Sequence, residues 1–259
     1  MADESLIKTE RSGHIVTVIL DRPRVNAINA AMRDALECIF LDLELDSEVY
    51  AIVLTGGPRL FSAGVDIHEL LAAPPSDAVP RNRRFQTVYA LVERSRAPVV
   101  AAVNGYALGG GCELAMACDI RVAAADASFG LPEINLGGVP GIGGPQRLAR
   151  MVGESKAKQM ILTGQRIEAQ EAHRLGLADE LAPAGGAMEA ALRIAEAIAA
   201  KPPLSVQAAK RAIALGRDLP LERAQSLDLV FVDYVAGTAD RAESLRAFVE
   251  KRVPHLEGR

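Results

Sequence analysis

Apolar and polar positions alternate in two ways along this chain. The first two-thirds mixes short apolar runs with stretches of helical period. Residues 5–20 predict a strand pair, the second strand being IVTVIL (Ile15–Leu20), almost wholly β-branched. After the turn DRPRVNAIN, the positions Ile28, Met32, Ala35, Leu36, Ile39, Phe40 and Leu43 recur at helical spacing and predict a helix over 27–45. AIVLTG (51–56) predicts a short buried strand, and FSAGVDIHELL (61–71) a strand-to-helix passage through a glycine. Residues 72–82 carry three prolines and no period, which predicts a mobile loop over a site. A helix over 83–95 leads into an apolar strand, APVVAAV (97–103). The helix-like run CELAMACD follows three consecutive glycines, and DIRVAAADASFGLPEI predicts short strands. GIGGPQRLARMVG opens another helix, with Pro145 in its first turn, where a missing N–H costs little. From Ser155 the pattern is helical apart from the strand LADELA. Pro202 and Pro203 mark a boundary, and three amphipathic helices follow at roughly 204–215, 221–235 and 239–252. The organisation expected is an α/β core over 1–200 and a helical region over 201–259. The apolar faces of that region exceed what one side of a small core covers, which points to packing on another subunit.

Composition narrows the class. With 259 residues the chain suits one large domain, with or without a small appendage. Apolar residues make up 49% and aromatics only 4%, so the core is built mainly from Ala, Val, Leu and Ile. A net charge of −4 argues against a surface made for nucleic acid. Three cysteines, Cys38, Cys112 and Cys118, without regular spacing argue against a disulfide framework and for a reducing compartment. The opening MADESLIKTE reads as neither a secretory signal nor a transit peptide, and no uncharged apolar run approaches spanning length. The expectation is a soluble, cytoplasmic protein.

Chemistry concentrates in NGYALGGGCE (104–113) and FGLPEINLGGVPGIGGPQRL (129–148). Consecutive glycines let a backbone approach a ligand closely, and a helix start aims unpaired N–H groups outward. That arrangement binds an oxygen on which negative charge develops. Glu113 sits just inside the same helix, and Glu133 follows Pro132 twenty residues on. A third turn, SAGVD, offers further free N–H groups. Either carboxylate alone reads as an ordinary ion pair or loop residue. Together beside an anion cradle they point to acid–base chemistry next to an activated carbonyl.

Other chemistries fail on spacing. There is no GxGxxG opening a helix after the first strand and no GxxxxGK[ST]. Ser62 in LFSAG lacks the glycine of a nucleophile elbow. The histidines His14, His68, His173 and His255 are scattered singly, so no metal site is expected. Cys112 and Cys118 read as buried, inert thiols. Lys210, Arg211 and Arg217 cluster on one tail helix and read first as a solvated face, with a phosphate contact or an RNA patch as weaker readings.

At these residues the sequence resembles the crotonase, or enoyl-CoA hydratase/isomerase, superfamily. The resemblance runs from DRPRVNAIN through LFSAGVDI, APVVAAVNGYALGGGCELAMACDI and FGLPEINLGGVPGIGGPQRL to LTGQRIEAQEAHRLGL and AFVEKR. It implies a spiral of ββα units with a helical C-terminal trimerisation region, trimers that pair into hexamers, and an acyl-CoA thioester as substrate. It implies no metal and no cofactor, coenzyme A being part of the substrate. By the same resemblance the N–H groups of Val65 and Gly110 form the oxyanion hole, Val65 standing where most relatives carry Ala. Ala63, Val65, Asp66 and Ile67 match the segment that grips the adenine end of CoA. Arg24 matches a basic position near CoA, and Phe248 and Lys251 match tail positions that close over it. Gly141 matches a glycine whose amide seats water. Pro145 and Ile142 depart from the usual GGTQRL surroundings. Glu113 and Glu133 match the two glutamates of the hydratases, so the reaction implied is reversible syn hydration of a trans-2-enoyl-CoA. The alternatives are a Δ3,Δ2-enoyl-CoA isomerase, which would tolerate loss of Glu113, and a specialised acyl-CoA dehydratase. An RNA-binding protein is the remote alternative, disfavoured by the acidic charge.

Overall fold

The computed structural model describes residues 6–259; the start of MADESLIKTE and the first residue of the expected strand pair lie outside them. The strands are β1 (Ile7–Ser12), β2 (Ile15–Leu20), β3 (Ala51–Thr55), β4 (Val99–Val103), β5 (Tyr106–Leu108), β6 (Ile120–Ala124), β7 (Ser128–Gly130), β8 (Arg166–Glu168) and β9 (Glu180–Ala182). The helices are α1 (Ala30–Leu45), α2 (Ile67–Ala72), α3 (Ala78–Arg94), α4 (Gly110–Ala117), α5 (Gly144–Val152), α6 (Glu154–Thr163), α7 (Ala169–Arg174), α8 (Ala187–Ala199), α9 (Pro203–Gly216), α10 (Leu221–Ala236) and α11 (Ala239–Glu250).

Six strands form one sheet in the order β1-β2-β3-β4-β6-β9, and three form a second in the order β5-β7-β8. The β1–β2 hairpin is antiparallel, whereas β2, β3, β4, β6 and β9 run parallel. A parallel sheet is covered on both faces. Accordingly every residue of β3 and β4 is buried, while β1 at the edge buries only Ile7. Helix α8 lies across β3, β4 and β6 and buries Ala187, Ala190, Ala191 and Ala195. Small side chains there let the helix axis approach the sheet, which explains how a core with few aromatics closes.

Three sequence expectations need correction. Residues 72–82 are not an irregular loop: a 3₁₀ turn spans Pro75–Asp77 and α3 begins at Ala78. Pro80 falls in the first turn of α3, where backbone N–H groups have no helical partner to lose. The stretch after FGL is a 3₁₀ turn, Pro132–Leu136, in place of a strand. The short strands β5 and β8 have no counterpart in the periodicity, three residues being too few to display one.

Candidate active site

The path from β4 to α4 builds the centre of the site. Strand β4 delivers the chain to Asn104, β5 turns it, and Gly109 sends it into α4 with φ +50° and ψ −127°, a conformation that favours glycine. Helix α4 is buried along its whole length. At Gly110 space is short for another reason: a Cβ would stand 2.9 Å from Val65 Cγ2 and 3.4 Å from the Val65 backbone nitrogen. The two amides read from sequence as an oxyanion pair are therefore neighbours. The parallel bridge from Ile28 engages the Gly64 carbonyl and the Asp66 N–H, so the Val65 N–H points to the opposite side. The Gly110 N–H lies in the first turn of α4, ahead of the first helical bond, which Glu113 N–H donates to the Gly109 carbonyl. On the far side of the helix, the buried Tyr89 hydroxyl donates to the Gly110 carbonyl at 2.9 Å and steadies this turn.

The two glutamates occupy different environments. Glu113 projects from the first turn of α4 and is 1% exposed. Its Oε1 accepts from the N–H groups of Ile142 and Gly144, both at 2.7 Å. Burial pushes its carboxyl up to about 7, and the negative charge of Glu133 adds to the rise; the two amides and Arg147 oppose it. Glu133 leads the 3₁₀ turn behind Pro132. Its Oε1 stands 2.9 Å from where a Gly109 Cβ would be, so a side chain at residue 109 would collide with it. Its Oε2 is buried without a hydrogen-bond partner among the described residues. Burial raises this carboxyl as well. An oxygen with no donor is cheaper to keep buried on a neutral acid than on an anion.

The remaining residues singled out from sequence are placed as follows. Gly141 lies beside Asn82, and its carbonyl accepts from Gln86 Nε2 at 2.8 Å. The neighbouring amides of Ile142 and Gly144, on the Glu113 carboxylate, were not foreseen. The Asp66 carboxylate is already engaged: it caps α2 by accepting from His68 N–H at 2.8 Å and pairs with Arg22 at 2.6 Å. That leaves the backbone of 63–67 as the part a ligand can meet. Ala63 is half-buried, Ile67 is half-exposed and Arg24 exposed. Phe248 is 84% exposed on α11, and Lys251 caps the end of that helix. Lys210 and Arg217 are not a free basic face: Lys210 pairs with Asp119 at 2.6 Å and Arg217 with Glu93 at 3.3 Å. Burial pushes the Cys118 thiol up to about 12 and raises Cys112 further, so both stay protonated near neutrality. A cavity of about 980 Å³ lies between α5 and α9, lined by Met116, Cys118, Lys210 and Arg217 among others. Its lining includes Ile142 and Gly143 of the loop that meets Glu113, but neither glutamate. Among the described residues no group of three or more His, Cys, Asp or Glu is arranged to hold a metal ion, and no helix is long and apolar enough to cross a membrane.

Known proteins share this architecture. A family model described as enoyl-CoA hydratase/isomerase matches residues 10–259. A 2,3-dehydroadipyl-CoA hydratase of Escherichia coli (strain K12) is 39% identical, covering 96% of this chain and 97% of its own. A short-chain-enoyl-CoA hydratase of Clostridium acetobutylicum is also 39% identical, covering 94% of each. The crystal structure of an enoyl-CoA hydratase from Bacillus anthracis superposes with a TM-score of 0.95 at 38% identity, covering 98% of this chain and 100% of the other. With this match along nearly its whole length, the chain belongs to the enoyl-CoA hydratase/isomerase family and has the crotonase fold.

Proposed function

We propose that this protein is an enoyl-CoA hydratase, a hydro-lyase that adds water reversibly and syn across a trans-2-enoyl-CoA to give the 3-hydroxyacyl-CoA. The observation that carries the reading is the unequal setting of the two buried glutamates beside the Val65 and Gly110 amides. Glu113 accepts two N–H bonds, which favour its anion. Glu133 has a buried oxygen with no donor, which favours its acid form. One base and one acid are what water addition requires.

In the proposed step the thioester oxygen accepts from Val65 and Gly110. Water attacks C3 while Glu113 takes its proton, and electron density moves through C2 to the thioester oxygen as an enolate. The amides meet more charge in this transition state than in the ground state, and loss of one such donor typically costs about 100- to 1000-fold in rate. Glu133 then delivers its proton to C2. The pair, now neutral at Glu113 and ionised at Glu133, resets by proton exchange. Gly141 takes part by seating the water near Glu113. No metal or redox cofactor enters, and CoA serves as a handle whose remote binding energy aids orientation.

For CoA, the segment Ala63, Val65, Asp66 and Ile67 offers backbone groups, and Arg24 offers an exposed charge. Phe248 and Lys251 would close over CoA from the tail, and their exposure supports contributions between subunits. Residues 201–259 act as a trimerisation region, and the assembly is a homotrimer or a hexamer of paired trimers. The support is that α10 buries nothing within one chain and exposes Leu229, Val230 and Val232. Three free thiols support a reducing, cytoplasmic setting.

The test is loss of enoyl-thioester absorbance on crotonyl-CoA, with Glu113→Gln and Glu133→Gln beside wild type. Fast wild-type loss with both variants slowed by orders of magnitude supports the reading. An active wild type whose Glu113→Gln variant keeps its rate would refute it.

A further inference from the structure

Glu113 depends on loop 142–144, and that loop is clamped from outside the site. Arg147 on α5 donates from Nη1 to the Ile142 carbonyl at 2.9 Å. Ile142 is thereby fixed at both ends of its own unit, since its N–H donates to Glu113. The same guanidinium donates from Nη2 to Glu93 of α3 at 2.7 Å, and Arg147 is only 16% exposed. Glu93 in turn accepts from Arg217, at the end of α9, at 3.3 Å. A chain of ion pairs and hydrogen bonds thus runs from the helical tail to the carboxylate: Arg217, Glu93, Arg147, Ile142, Glu113.

We propose that Arg147, braced by Glu93, is a positioning residue for the base Glu113, and that Arg217 links the packing of α9 to that role. The inference rests on the hydratase reading above. Two effects act together. The guanidinium holds the amides of loop 142–144 against the carboxylate, and its positive charge favours the ionised form of a group buried with another acid. The elements packed on Glu113 bring it Glu133 from the 3₁₀ turn, Arg147 from α5, Tyr89 from α3 and Cys112 from its own helix. Of these, Arg147 alone is a cation; Tyr89 and Cys112 are held neutral by burial, and Glu133 opposes ionisation. The amides of Gly144 and Ile142 offset burial at Glu113 most, and Arg147 adds its charge to theirs while holding their loop in place. Neither it nor Glu93 touches a reacting atom.

The experiment is the pH dependence of kcat/KM on crotonyl-CoA, which reports groups of the free enzyme. The variants are Arg147→Gln, Arg147→Lys and Arg217→Gln, each checked for folding by its thermal melt. In Arg147→Gln the acid limb should move to higher pH by about one unit, with kcat at neutral pH reduced about tenfold or more. Arg147→Lys keeps the charge but cannot span both Glu93 and the Ile142 carbonyl, so the limb should stay near its wild-type position while kcat falls. Arg217→Gln is half-exposed and should fold; its limb should move the same way by a smaller amount. A rate loss in Arg147→Gln and Arg217→Gln with the limb unmoved would reduce these residues to general scaffolding and overturn the proposal. A wild type with no hydration at any pH would instead refute the hydratase reading beneath it, so the two failures are told apart.

Discussion

Replacing Glu113 with Gln should stabilise the folded protein above neutral pH while abolishing most activity. Glu113 is 1% exposed, and its carboxyl rises from an ordinary 4.5 to about 7. A carboxyl raised in the folded state binds its proton more tightly there than in the unfolded chain. Its contribution to stability is full below about 4.5 and is lost as pH climbs through about 7. At about 1.4 kcal/mol per unit, a rise of that size amounts to about 3 kcal/mol withdrawn from the wild type by pH 8. Glutamine keeps the shape and can keep the two N–H bonds from Ile142 and Gly144 on its carbonyl oxygen, but it does not ionise. The assay is thermal or urea melting of both proteins at pH 5 and pH 8, at equal protein concentration. At pH 5 the two should lie close together. At pH 8 the variant should be ahead by about 3 kcal/mol, or roughly 6 °C or more for a chain of this size, with hydration slowed about 100-fold or more through loss of the base. A difference between the proteins that is the same at both pH values would refute the assignment of a raised, buried carboxyl at Glu113.

Gly110→Ala would push a methyl to 2.9 Å from Val65 Cγ2; hydration of crotonyl-CoA should fall about 100-fold or more, with stability lowered by the about 1–3 kcal/mol that overpacking costs. Val65→Ala removes a side chain beside Gly110 while leaving the backbone N–H, so the ratio of kcat/KM for a branched or longer enoyl-CoA over crotonyl-CoA should rise about tenfold; an unchanged ratio would mean that Val65 does not bound the acyl pocket. Asp66→Ala strips the cap from α2 and leaves Arg22 unpaired, which should lower stability by about 1–2 kcal/mol in a urea melt and raise KM more than it lowers kcat.

Much of this site could be anticipated from residue order alone, and the parts that could not share a physical cause. Glu113 stood out because an acid in the run CELAMA must find partners when that helix is buried. Its partners did not, because the N–H groups of Ile142 and Gly144 are backbone and carry no side-chain signature. Arg147 belongs to the motif GGPQRL but drew no role, since its partner Glu93 lies 54 residues away on another helix. Tyr89 reads as one more apolar position on α3, and only the fold reveals that its hydroxyl reaches Gly110. The start of α3 was misplaced because proline excludes helix interiors yet fits a first turn, and a sequence does not say which of the two it is. The basic tail residues looked like surface because their acids, Asp119 and Glu93, come from other elements.

The difference between the two glutamates follows from the elements that carry them. Glu113 sits on a buried helix whose neighbouring loop turns two N–H groups toward it, and the cation Arg147 anchors that loop. Glu133 sits at the start of a 3₁₀ turn, where Oε1 lies beside Gly109 and Oε2 is buried without a hydrogen-bond partner among the described residues. Both carboxyls are raised by burial; against it Glu113 has two loop amides and the cation Arg147, whereas Glu133 has only its own backbone N–H. Exchanging the two side chains for one another would change nothing chemically; the asymmetry lies wholly in backbone and second-partner placement. In the proposed mechanism a base and an acid are thus made from the same residue type, and the stability withdrawn at Glu113 above neutral pH is the cost of keeping a proton acceptor buried.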